Sequence, residues 1–110
     1  MPILSVIISS AKIPSDAAMA KFVGIAADLC ETTLLAAADK IQIQLLSTIA
    51  PPYGRDVYME LRYRESPNRD KSVMNSYMEK MEKVSASILG VDRPRIRCFP
   101  QKNDQLFARN

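Results

Sequence analysis

One pattern occurs twice along this chain of 110 residues, and the duplication constrains the fold more than any other feature. In each copy an apolar or alternating segment precedes a helical pattern, and a second alternating segment follows it. Segments typical of strands cover residues 2–9, 40–45, 57–64 and 95–100. Between the copies lies a segment rich in turn formers, residues 50–55, which contains two prolines and a glycine. The chain therefore reads as β-α-β followed by β-α-β.

The two helical patterns have recognisable starts and apolar stripes, which predict helices near residues 15–31 and 69–89. Ser15 is a suitable N-cap for the first helix, and Gly90 is a natural stop for the second. The apolar stripe of the first helix consists of Ala18, Phe22, Ile25 and Leu29. The stripe of the second helix, which we assign to the core rather than to a partner groove, consists of Met74, Met78, Met81, Val84 and Ile88.

Right-handed crossovers place both helices on one face of a single sheet. We therefore predict an α/β fold: a duplicated β-α-β unit forming a four-stranded mixed sheet with two helices on one face. The whole chain, residues 1–110, is expected to form one domain, with repeat one at 2–46, repeat two at 56–100 and a C-terminal tail at 101–110. A ferredoxin-like sheet is one fold that fits this order.

The composition is that of an ordinary globular protein, with 47% hydrophobic and 25% charged residues and a mild net charge of +3. No apolar run reaches the roughly 18 residues of a membrane span, so no membrane partner is expected. The apolar N-terminal run lacks the features of a signal peptide, and we interpret it as a strand. Cys30 and Cys98 lie far apart in the sequence and are expected to be reduced thiols in a cytoplasmic protein.

The chain contains no histidine, so any acid–base catalyst must be another group. Pro2 follows the initiator methionine, and a small second residue normally allows that methionine to be removed. The product would carry a secondary amine, whose pKa of about 8 falls in a dry, cationic pocket. Such an amine could be neutral at pH 7 and act as a general base. A Met-Pro start also occurs without catalytic meaning, and with Met1 retained the Pro2 nitrogen is an amide.

Pro2 at the start of a strand, the duplicated unit and the segment 62–71 together resemble the tautomerase superfamily. Within it the chain is similar to members with two fused repeats: macrophage migration inhibitory factor, malonate semialdehyde decarboxylase and the cis-3-chloroacrylic acid dehalogenases. The passage 90–97 resembles the family's route from helix to final strand. The resemblance covers essentially the whole chain and is one of pattern, with low identity.

The resemblance implies a role for several residues of the first and third strands. Pro2 matches the family's catalytic amino-terminal proline, and Ile3 falls on the pocket wall beside it. Arg64 matches a strand position that lines the pocket. Together with Arg69 it resembles the arginine pair that holds a substrate carboxylate in the dehalogenase and decarboxylase branches.

Family members of this type are homotrimers, with each site built between two subunits and no cofactor. Arg97 and Phe99 fall on final-strand positions that reach a neighbouring subunit's site. Arg62 is a further candidate for holding the carboxylate, since guanidinium pairs bidentately with it. In a trimer, Gln42, Gln44 and Glu60 would partly line a central channel.

The chain departs from the inhibitory-factor branch at two places. That branch has a lysine just after the first helix, where this chain has only leucine and alanine at 34–38, and Lys40 begins the next strand instead. The branch's Asn-Ser-Thr-Phe ending is also missing. These departures leave the specific reaction open.

The expected function is keto–enol tautomerisation of a small α-keto or 2-hydroxy-dienoate acid, with Pro2 as the general base. Two alternatives stay open: a non-catalytic trimeric or ferredoxin-like ligand-binding protein, and a related hydratase or decarboxylase. Nucleic-acid binding is not expected, because the chain is only mildly basic and carries Glu60 and Glu65 among its arginines.

Overall fold

A computed structural model describes all residues, 1–110. It contains four strands and two long helices, in the order β-α-β-β-α-β. The strands are β1 (Ile3–Ile8), β2 (Gln42–Ser47), β3 (Val57–Arg64) and β4 (Arg95–Gln101). The helices are α1 (Asp16–Thr32) and α2 (Lys71–Val84), and α2 continues into one π-helical turn, Ser85–Leu89. Short 3₁₀ turns precede β2 (Ala38–Lys40) and follow β4 (Asn103–Gln105).

The four strands form one mixed sheet in the order β2-β1-β3-β4. Each β-α-β unit contributes a parallel pair, β1 with β2 and β3 with β4, and the two units meet through antiparallel pairing of β1 with β3. This arrangement confirms the predicted duplicated unit, the mixed sheet and the two helices on one face.

The predicted helix boundaries have physical counterparts in the structure. The Ser15 hydroxyl accepts a hydrogen bond from the Ala18 N–H at 3.1 Å, and the Asp70 carboxylate accepts one from the Val73 N–H at 2.9 Å. After α2, Gly90 takes a left-handed conformation with φ of 73°, which glycine adopts at little cost.

The core lies between the helices and one face of the sheet. The sheet contributes alternate residues of its two central strands, Leu4, Val6, Ile8, Val57, Met59, Leu61 and Tyr63, all buried. In α1 the fully buried residues are Phe22, Ala26 and Cys30, whereas Ile25 and Leu29 are half-buried. The buried stripe of α1 is thus rotated from the predicted one, because small residues such as Ala26 mark a face only weakly in the sequence.

In α2 the prediction that the methionines belong to the core is confirmed for Met74 and Met81, which are buried, while Met78 is half-buried. Tyr77 was not predicted, yet it is completely buried. Its hydroxyl has no hydrogen-bond partner.

The other face of the sheet carries no helix, and its polar side chains pair with one another. We call it the open face. On β2 and β1, the Gln44 amide donates to the Ser5 hydroxyl at 2.8 Å. On β3, the Tyr58 hydroxyl donates to Glu60 at 3.2 Å, and Arg62 Nε lies 3.5 Å from the same carboxylate. None of the helices is long and apolar enough to cross a membrane.

Candidate active site

The start of β1 holds Pro2 deep in the fold. Its side chain is fully buried, and its carbonyl accepts a hydrogen bond from the Gln42 N–H at 3.0 Å. This bond extends the parallel pairing of β1 with β2 by one residue towards the N-terminus. Met1 precedes Pro2 in the structure, so the Pro2 nitrogen is here an amide and the free amine belongs to Met1.

Three cationic side chains surround that N-terminus. Burial lowers the pKa of the Met1 amine below its usual value, and the charges of Arg69, Arg64 and Lys40 lower it further. A cavity of about 340 Å³ opens at this point, lined by Met1, Lys40, Arg64, Ala108 and Asn110. No aspartate or glutamate lines it. We call it the N-terminal cavity.

Arg64 reaches this cavity from the end of β3. It is half-buried, and its Nη1 donates a hydrogen bond to the Asn103 side-chain oxygen at 3.2 Å. Asn103 belongs to the segment that follows β4, so this bond connects the C-terminal tail to the rim of the cavity.

Arg69 lies in the loop before α2 and is tied to backbone rather than to another side chain. Its Nε donates to the Leu34 carbonyl at 3.0 Å, and its Nη1 donates to the Arg64 carbonyl at 2.7 Å. These bonds connect the loop after α1 to the end of β3. In that loop Leu35 has a positive φ of 55°, a conformation that is costly for a branched residue.

A second group of the predicted residues lies on the open face. Ile3, Arg62 and Phe99 are neighbours in one row across β1, β3 and β4. The Arg62 guanidinium carbon lies 4.9 Å from the centre of the Phe99 ring, a cation–π distance. Arg62 forms a salt bridge with Glu60, and more than half of the Arg62 side chain is exposed.

Arg97 also lies on the open face, two residues before Phe99 on β4 and next to Glu60 in the register. It is exposed, and it lines two adjoining grooves of about 430 and 410 Å³ between α2 and β4. Arg69 lines the second of these grooves as well. Within one subunit, therefore, Pro2, Arg64 and Arg69 come together near the N-terminus, whereas Arg97 lies away from the N-terminal cavity.

Lys40 is the residue of this region that sequence reasoning missed as a site residue, because it stood at the start of a predicted strand. It ends the 3₁₀ turn before β2 and lines the N-terminal cavity. The only signal in the sequence was a cation just before the second predicted strand. The structure shows that this strand, β2, pairs in parallel with β1, which Pro2 precedes.

The remaining reactive side chains contribute little to this region. Burial raises the pKa of both the Cys30 and Cys98 thiols to about 11, so both are poor nucleophiles at neutral pH. No group of three or more cysteine, aspartate or glutamate side chains is placed to hold a metal ion.

Similar folds occur in several solved structures. A macrophage migration inhibitory factor-like protein from Entamoeba histolytica superposes with a TM-score of 0.77 at 7% identity, over 98% of this chain and 95% of that one. A fused 4-OT described as a symmetric trimer gives 0.75 at 18% identity, over 94% and 90% of the two chains. Pt0534, described as inactivated by 2-oxo-3-pentynoate, gives 0.79 at 10% identity, over 94% and 89%.

The sequence matches no family model, and a search of curated proteins found no relative. The likeness is thus one of fold. The chain has the fold of the tautomerase superfamily, as the sequence resemblance implied.

Proposed function

We propose that this protein, once Met1 is removed, is a keto–enol tautomerase for a small α-keto or 2-hydroxy-dienoate acid. Pro2 is its general base, and the reaction uses no cofactor. The proposal includes a cytoplasmic location, with which the two free thiols agree.

The observation that carries this proposal is the convergence of three cations on the N-terminus. Arg64 and Lys40 line the cavity there, Arg69 adds its charge from beside it, and no aspartate or glutamate side chain lines the cavity. Positive charge there disfavours a protonated amine and attracts a carboxylate. A base and an anion-binding site are the two parts that such a reaction requires.

The proposed chemistry follows from these two parts. Cationic side chains hold the substrate carboxylate, with Arg64 suited to a bidentate bond. The neutral Pro2 amine removes a proton from the carbon beside the carbonyl, and the nearby positive charge stabilises the enolate that forms. The protonated amine then returns the proton to a different atom of the substrate, which completes the tautomerisation.

The assembly that we propose is a homotrimer with sites between subunits. One structure of similar fold is described as a symmetric trimer. Three large apolar side chains, Ile49, Tyr53 and Phe107, are almost fully exposed in the single chain, which favours their burial by another copy. In that assembly Arg97 and Phe99 would serve a neighbour's site, while Gln42, Gln44 and Glu60 would partly line the central channel.

The mass of the intact purified protein tests the first requirement of the proposal. We expect the loss of one methionine. Purified protein with a free Pro2 should then tautomerise phenylpyruvate, and Pro2→Ala should lose most of the rate, because a primary, more flexible amine replaces the ring amine. Equal rates for wild type and Pro2→Ala, or no activity on any enolisable keto acid, would contradict the mechanism.

The arginines give a second test of the same site. Arg64→Ala and Arg97→Ala are expected to weaken carboxylate binding, each by roughly 1.5–3 kcal/mol, the range of a charge-assisted hydrogen bond. The loss should appear mainly in KM. If both variants keep the wild-type KM, the carboxylate is held elsewhere.

A second candidate is a non-catalytic protein that binds small carboxylates through the same cations. With Met1 in place, Pro2 has no basic nitrogen, while the cations around the cavity are unchanged. Retention of Met1 in the mass spectrum would support this candidate. A hydratase that uses the same residues would instead add water to an unsaturated acid, and a decarboxylase would release carbon dioxide from a β-keto acid.

A further inference from the structure

We infer that Lys40, rather than Arg69, is the cation that binds a small carboxylate together with Arg64 in the N-terminal cavity, and that Arg69 is a positioning residue. This inference rests on the site of the proposed function and says which of its cations contact the ligand.

The hydrogen bonds of Arg69 are the first argument. Its Nε and Nη1 already donate to the carbonyls of Leu34 and Arg64, at 3.0 and 2.7 Å. A bidentate grip on a carboxylate uses two parallel N–H groups of one guanidinium. Two of the five N–H groups of Arg69 are thus held by backbone carbonyls, which fixes the guanidinium in place and takes the Nε–H out of any bidentate bond.

The position of Arg69 is the second argument. Its side chain is half-buried, and it lines a groove between α2 and β4 but not the N-terminal cavity. Its bond to the Arg64 carbonyl fixes the strand end from which the Arg64 side chain leaves. Arg69 therefore acts on the cavity through the backbone of Arg64 and through its charge.

Lys40 has the opposite properties. Its side chain is exposed, lines the cavity with Arg64, and takes part in no salt bridge or side-chain hydrogen bond. Its backbone is nevertheless fixed, because the Lys40 N–H donates to the Ala37 carbonyl at 2.9 Å. The ammonium group is thus a free donor on an anchored turn, and it is available to an anion.

The ligand that fits this pair is a small carboxylate. Arg64 offers a planar guanidinium and Lys40 a compact charge, a combination that suits carboxylate and keto oxygens on adjacent carbons. No aspartate or glutamate side chain lines the cavity.

Binding measurements on the full chain test the inference without relying on catalysis. The probe is 3-phenylpropanoate, which has the carboxylate but no keto group, titrated by NMR against wild type, Lys40→Met and Arg69→Lys. Lys21→Met is the matched control, since Lys21 is an exposed lysine on the outer side of α1.

Lys40→Met should weaken binding of the probe about tenfold or more with an unchanged melting temperature, because it removes a charge-assisted bond and no packing. Arg69→Lys should bind the probe as wild type does but melt several degrees lower, since one ammonium cannot reproduce the fork that joins two carbonyls. Lys21→Met should match wild type in both measurements.

The inference is overturned if Lys40→Met binds the probe like wild type, if Arg69→Lys loses affinity at an unchanged melting temperature, or if wild type binds no probe at all. An inactive protein whose binding nevertheless depends on Lys40 would refute the proposed catalysis and leave this inference standing.

Discussion

At the scale of single residues, the N-terminal amine lies in a partly buried environment surrounded by positive charge. Burial and three cations lower its pKa, and no aspartate or glutamate side chain lines the cavity. In the proposed function, removal of Met1 makes Pro2 the bearer of the amine, one residue along the chain from this environment. The charges near the amine then set its pKa, and so the pH above which it is neutral and can accept a proton.

The pH dependence of the rate follows from the direction of this shift. If the neutral amine is the base, as proposed, kcat/KM should fall as the pH drops through a pKa that lies below the usual value of about 8. Arg64→Gln removes a positive charge and should raise that pKa, which moves the limb to higher pH. The measurement is a pH–rate profile of each protein, and a limb that does not move in Arg64→Gln would contradict the electrostatic cause.

Tyr77 provides a prediction about stability. Its hydroxyl is buried with no oxygen or nitrogen partner and with only the Cys30 thiol, a weak hydrogen-bonding group, beside it, which costs folding free energy. Tyr77→Phe should therefore leave the free energy of unfolding unchanged or raise it by about 1 kcal/mol. Tyr58→Phe is the matched control, because it removes a hydroxyl that does bond, to Glu60 at 3.2 Å. Urea unfolding of both variants measures the difference, and a clear loss in Tyr77→Phe would mean that its hydroxyl has a partner.

At the scale of elements, the helices begin where short polar side chains cap them. The Ser15 hydroxyl bonds the Ala18 N–H, one of the amides that the helix itself leaves unpaired. Ser15→Ala should thus destabilise the protein by about 1 kcal/mol. Ser72→Ala is the control, since Ser72 is an exposed residue in the first turn of α2 that does not cap the helix. Thermal unfolding should separate the two variants, and equal melting temperatures would show that the cap contributes nothing.

At the scale of the whole molecule, the open face and the exposed apolar side chains point to self-association. Light scattering at micromolar concentration should give three times the chain mass of 12.3 kDa. Ile7 is a half-buried residue in the middle of the open face, so Ile7→Glu should dissociate the trimer by placing three like charges close together. Lys21→Glu, on the helix side, should not. A wild-type mass of one or two chains would contradict the proposed assembly.

The sequence by itself determined the elements and their order. Strand and helix periods, the cap at Ser15 and the stop at Gly90 are local signals, and each recurs in the structure within a few residues of its predicted place. The placement of both helices on one face also followed, because the hand of a β-α-β crossover is nearly fixed.

Only the tertiary structure decided which side chains share a cavity. Arg69 bonds a carbonyl 35 residues away, and Lys40 meets Arg64 because the turn before β2 and the end of β3 lie on either side of the start of β1. Bonds to backbone carbonyls place no demand on the residue type at the accepting position, so they leave no pattern in the sequence. The sequence resemblance had treated Arg64 and Arg69 as one pair. In the structure only Arg64 lines the N-terminal cavity, because the register of the sheet and the packing of the loops depend on the whole chain.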